Sequence, residues 1–222
     1  LNVLWFFVAT HYAIRQGLAE PWVFGIPAVI FGAVHLWIAW WLVRRGGEGA
    51  HGTTSFALAG GVLIALALPS AVGHALIAST AIAALAVGLS LASQRFGSGG
   101  VRLVSYLLQF YASASLVVLL YATQATTPSL VGAAASALLA LIGAYHYYWA
   151  RHNPPPAGGP LTDRFNRDDC WAAALLVAAL MSGFFTLRIG LFQGLQSMHL
   201  VSPRAFDSGQ SLLISLAAMV LL

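Results

Sequence analysis

The chain has 222 residues, of which 59% are apolar and only 7% charged, and its mean hydropathy is +0.83. Soluble domains carry roughly a quarter charged residues, so ten Arg and six acids do not suffice for a water-facing surface of this size. The net charge of +4 is no sign of nucleic acid, because the arginines stand near helix ends, and the single Cys170 excludes an internal disulfide.

Apolar runs close to the roughly 20 residues that a spanning helix needs follow one another at about 1–17, 22–43, 54–72, 74–94, 101–122, 128–150, 170–194 and 208–222. They are long and unbroken, not alternating, which predicts helices and not a barrel. The connections are short, 151–169 being the longest, so neighbouring helices are expected to form antiparallel hairpins. The predicted fold is an all-α, polytopic transmembrane helix bundle of about seven to eight spans, with 1–222 as one transmembrane region. Leu1 is not an initiator Met and the chain stops inside "SLAAMVLL", so a piece of a longer chain is expected.

The 22–43, 74–94 and 128–150 spans are followed by Arg44, Arg45, Arg95, Arg102, Arg151, Arg164 and Arg167, whereas the opposite ends hold only Arg15, Arg188 and Arg204. The excess places the Arg44–Arg45 side in the cytoplasm of a bacterial inner membrane. Aromatic residues mark the same edges: Trp22, Trp40, Trp41, Tyr121, Tyr147, Tyr148, Trp149 and Trp171. On that pattern "YHYYWAR" is an interface belt, "NPPPAGGP" a helix-ending turn, and Asp168 and Asp169 an acidic start to the next helix.

Five residues are candidates for a polar path or midplane site. His35 lies fourteen residues into the second run, where a charged group is costly, so it is expected to be neutral and bonded to a neighbouring helix. Ser105, Gln109 and Ser113 recur at steps of four in the 101–122 run, and Gly132, Ser136, Ala140 and Ala144 do so in the 128–150 run. Such stripes serve close packing with interhelical hydrogen bonds, or line a polar path. Arg188 stands one or two turns inside the seventh run, near enough to snorkel.

Cofactors are not expected. His11 and His35 differ in depth by about 13 Å at 1.5 Å per residue, too far to clasp one haem. His146 shares a level with Asp168, Asp169 and Cys170, but in no spacing that metal sites use. No phosphate-binding, dinucleotide or nucleophile-elbow motif occurs, and none of the six acids falls mid-membrane. No catalytic residue is assigned.

"LNVLWFFVATHYAI", the "WLVRR" helix end and "ALALPSAVGHALIASTAIAALAVGLSLASQRFGSGGVRLVSYLLQ" are similar to a family of large bacterial multi-pass membrane proteins known only as a domain of unknown function. Ala67, Leu68 and Pro69 match that family's helix end, Gly88 and Leu89 its middle, and Arg95 and Arg102 the exit and the following helix start. Where the family pattern has Trp and Glu, this chain has Ser79, Thr80, Ala81 and Ile82. The resemblance covers about residues 1–122 and implies a multi-pass bundle without an assigned activity. The expected role is a scaffold or accessory subunit of a bacterial envelope assembly, touching lipid, further helices of its own chain or other membrane subunits. The alternative is a transporter or flippase for a lipid-linked or hydrophobic substrate. A polar cavity at His35 or Gln109 would favour transport, and dry small-residue contacts would favour the scaffold.

Overall fold

In the computed structural model the described residues are 20–47, 52–122, 129–157, 170–200 and 202–221, with 8, 9, 12, 13, 16 and 17 near the start. The rest of the first run, with His11 and Arg15, lies outside them, as do His51, Arg164, Arg167, Asp168, Asp169 and the side chain of Tyr121.

Among the described residues seven helices follow one another: α1 Pro21–Gly46, α2 Thr53–Val72, α3 Ala75–Phe96, α4 Gly99–Ala122, α5 Leu130–His152, α6 Cys170–Ser197 and α7 Pro203–Leu221. Pro21 opens α1, where a missing N–H costs nothing. Ser129 caps α5 by accepting from the Gly132 amide. Gly73 and Gly97 close α2 and α3 with φ of 70° and 58°, which lets two-residue turns reverse the chain. Among the described residues, α1 to α6 are each long and apolar enough to cross a membrane. The protein is a multi-pass integral membrane protein with an all-α bundle. α7 differs from the expected eighth span: it starts at Pro203, and Arg204, Asp207 and Gln210 make its first half polar.

Interhelical contacts fix the register. On α1 and α2, Gly25 meets Ala71, and Gly32 meets Gly60 and Ile64, so the pair is antiparallel. On α3 and α4, Ser79 faces Ser115 and Ser90 faces Ser105. On α5 and α6, the Thr186 hydroxyl donates to the Ser136 carbonyl, and Gly143 faces Ala179. These are the hairpins that short connections predict. Two parallel pairings join them: Thr80 on α3 donates to the Ala135 carbonyl on α5, and Ser182 on α6 donates to Ser113 on α4. α3 and α4 are thereby the centre, with Ile82, Ala83, Ala86, Val101, Leu108 and Leu116 in the main apolar core. α1 packs on this core through α2, and α7 through α6.

The small-residue stripe of α5 is not the one that steps of four predict. Its buried residues are Gly132, Ser136, Leu139, Gly143, His146 and Ala150, whereas Ala144 is exposed. A helix turns in 3.6 residues, so a pure four-residue step drifts off the contact face and a mixture of threes and fours stays on it.

Candidate functional site

A hydroxyl, amide or imidazole inside a bilayer must find its partner within the protein. α4 brings Arg102, Ser105, Gln109 and Ser113 to one side, where α3, α5 and α6 converge. All four are buried, and together they cover about 16 Å along the helix at 1.5 Å per residue.

His146 stands in the middle of this column and has no exposed surface. Its Nδ1 lies 3.2 Å from Gln109 Oε1 and its Nε2 2.7 Å from Ser90 Oγ. With Oε1 as acceptor, Nδ1 carries the proton, and Nε2 accepts from the Ser90 hydroxyl. Ser105 Oγ is 2.6 Å from Ser90 and 2.7 Å from the Arg102 carbonyl, with one proton to divide between them. Three helices are thus tied at one level by side chains alone. Tyr106 leans against the imidazole at 5.8 Å and stacks on Trp171 at 5.7 Å, bringing α6 to the same place.

One turn nearer the arginine-rich end, Arg102 is only 1% exposed. Its Nε donates to Ser93 Oγ at 2.7 Å, and Nη1 donates to the Asn153 carbonyl at 3.0 Å and more weakly to Tyr106 Oη at 3.4 Å. The guanidinium lies 4.5 Å from the Trp149 ring centre. Among the described residues, oxygen dipoles and a π-face stand where a carboxylate could. At the far end of the column Ser182 donates to Ser113 at 3.1 Å. Gln109 Nε2 and Arg102 Nη2 are buried without a hydrogen-bond partner among the described residues.

Ser105, Gln109 and Ser113 therefore share one site, and the other two candidates lie elsewhere. His35 Nδ1 donates to the Phe31 carbonyl at 2.7 Å, within its own helix and not to a neighbour as its depth predicts. Across to α2 its ring lies 5.8 Å from the Phe56 ring. Arg188 joins α6 to α7: it donates to the Gln210 amide oxygen and its guanidinium lies 5.4 Å from the Phe206 ring centre.

The sequence reading missed His146, Ser90, Ser182 and Arg102. The aromatic pattern puts His146 in an interface belt, yet it points inward, as does Ala150, while Tyr145 and Tyr148 are exposed. Its phase is the clue: three residues after Gly143 and seven after Leu139, it lies on the contact face. Both ring nitrogens are engaged by Ser90 and Gln109, and Cys170, placed with it in the metal reading, is exposed at the start of α6. Arg102 looks in sequence like one more loop arginine. An open groove of about 140 Å³ between α2 and α4 is lined by Leu58, Val62, Leu66, Val104, Leu107 and Tyr111 and stays apart from the column. No protein-family model, curated protein or solved structure matches this chain.

Proposed function

We propose that this chain is a scaffold or accessory subunit of an envelope assembly in a bacterial inner membrane, and that its polar column serves to lock helices together. One observation carries the reading: Ser105, Gln109 and Ser113 are buried and hydrogen-bonded across helix contacts. The small residues beside them, Gly143 and Ala179, allow that approach. Membership of the domain-of-unknown-function family that residues 1–122 resemble belongs to the same proposal and adds no activity.

Transport of a lipid-linked or hydrophobic substrate is the second reading. It draws on the length of the column and on the spare donors of Arg102 and Gln109. Cysteine placed at Ser105 or Ser113, in a Cys170→Ser background, separates the two. A locked bundle leaves both thiols inert to a small impermeant reagent in native membranes, whereas labelling from either side would overturn the scaffold. The full-length protein in mild detergent should also migrate with partner subunits, and a particle no larger than the chain and its detergent would count against the proposal.

A further inference from the structure

The geometry points to a binding site for an anionic phospholipid along the outer face of α1, with the lipid phosphate held between Arg44 and Arg45. α1 has 26 residues, about 39 Å at 1.5 Å per residue, against a hydrocarbon layer of roughly 30 Å. Its last turn therefore reaches the headgroup layer.

Among the described residues α1 meets the bundle through α2, and much of its perimeter is exposed. Val23, Ile26, Ile30, Val34, Trp37 and Trp41 are all exposed and recur at steps of three and four, forming one continuous apolar stripe. At 100° per residue, positions 44 and 45 fall on either side of the end of that stripe. The Arg44 guanidinium lies 4.3 Å from the Trp40 ring centre, and that of Arg45 lies 4.5 Å from the Trp41 ring centre. Stacking occupies the faces of the two cations and leaves their N–H edges, the part that fits phosphate oxygens. An apolar track for an acyl chain thus ends in a two-arginine fork at headgroup depth. A bare phosphate would use only the fork, and an apolar helix only the track. A phospholipid of net negative charge uses both.

The test is native mass spectrometry of the full-length protein released from micelles doped with phosphatidylglycerol or phosphatidylcholine. The wild type should retain phosphatidylglycerol roughly tenfold or more better, since each arginine near an anionic headgroup contributes roughly fivefold. R44Q/R45Q should bring the two lipids to within about twofold, with an unchanged unfolding midpoint. R44K/R45K should lose a good part of the preference, because lysine keeps the charge and loses the fork. R95Q/R151Q, which removes two other exposed cations at the same end, should leave the preference intact. The site is overturned by equal retention of both lipids in the wild type or by an unchanged preference in R44K/R45K. It is equally overturned by loss of the preference in R95Q/R151Q, the mark of a diffuse positive surface. Release of the lipid by excess inorganic phosphate would assign the fork to a soluble anion, and a second protein chain in its place would make the stripe a protein interface; either outcome rejects the phospholipid.

Discussion

The substitution His146→Leu removes two interhelical hydrogen bonds at once and leaves Ser90 and Gln109 without the partner they share. The expected cost is about 1–3 kcal/mol, since bonds between membrane helices contribute about 0.6 kcal/mol each on average and orphaned buried groups cost more. His35→Leu is the control. The carbonyl that His35 engages is Phe31 of its own helix, so stability should stay within about 0.5 kcal/mol of the wild type. Equilibrium unfolding in mixed micelles, followed by tryptophan fluorescence, compares the two. Equal losses would show that the column holds no more than an ordinary helix face. These two histidines also mark what was legible at this scale. Depth along a helix can be counted in a sequence, and it singles out His35. Orientation about the axis decides which imidazole is buried, and that requires knowing which face of α5 meets α3.

At the scale of elements, the α1–α2 hairpin rests on glycine where backbones touch. A Cβ on Gly25 would come within 2.5 Å of the Ala71 nitrogen, and one on Gly60 within 2.7 Å of the Gly32 carbonyl. Neither neighbour is a side-chain tip that can swing aside. Gly25→Ala and Gly60→Ala should each lower stability by about 1–3 kcal/mol, as overpacking does elsewhere. Gly88, whose Cβ would meet nothing within 4 Å, should accept alanine without loss and with a gain of up to about 1 kcal/mol from helix propensity. The same unfolding assay reads all three, and a stable Gly25→Ala variant would mean that the hairpin gives way more easily than its geometry implies. The elements themselves were legible from apolar run length, with α2 to α6 falling within a few residues of the predicted spans. Small residues announce that helices come close. Which ones touch depends on the phase of the 3.6-residue turn, and for that reason a four-residue step includes Ala144 in a stripe that passes it by.

For the molecule as a whole, the two ends of the bundle are chemically unlike. Arg44, Arg45, Arg95 and Arg151 are exposed at one end, together with Cys170. The positive-inside rule predicts that this end faces the cytoplasm. In intact cells Cys170 should resist an impermeant maleimide and react after permeabilisation. A cysteine at exposed Val72, at the opposite end, should react at once in a Cys170→Ser background. The reverse pattern would invert the orientation. Arg102 belongs to the same end but is buried by residues that are made later. The groups that cover it, Trp149 and the Asn153 carbonyl, come from α5 and the residue that follows it, about fifty residues further along the chain. At roughly 5–20 residues per second of synthesis, α4 waits some seconds before α5 can reach it. Until then the hairpin offers the guanidinium only the Ser93 and Tyr106 hydroxyls, and its other N–H groups need headgroups or water. With α5 in place the cation lies under Trp149. The complete set of Arg102 contacts therefore needs α5 in place and cannot form in the α3–α4 hairpin alone.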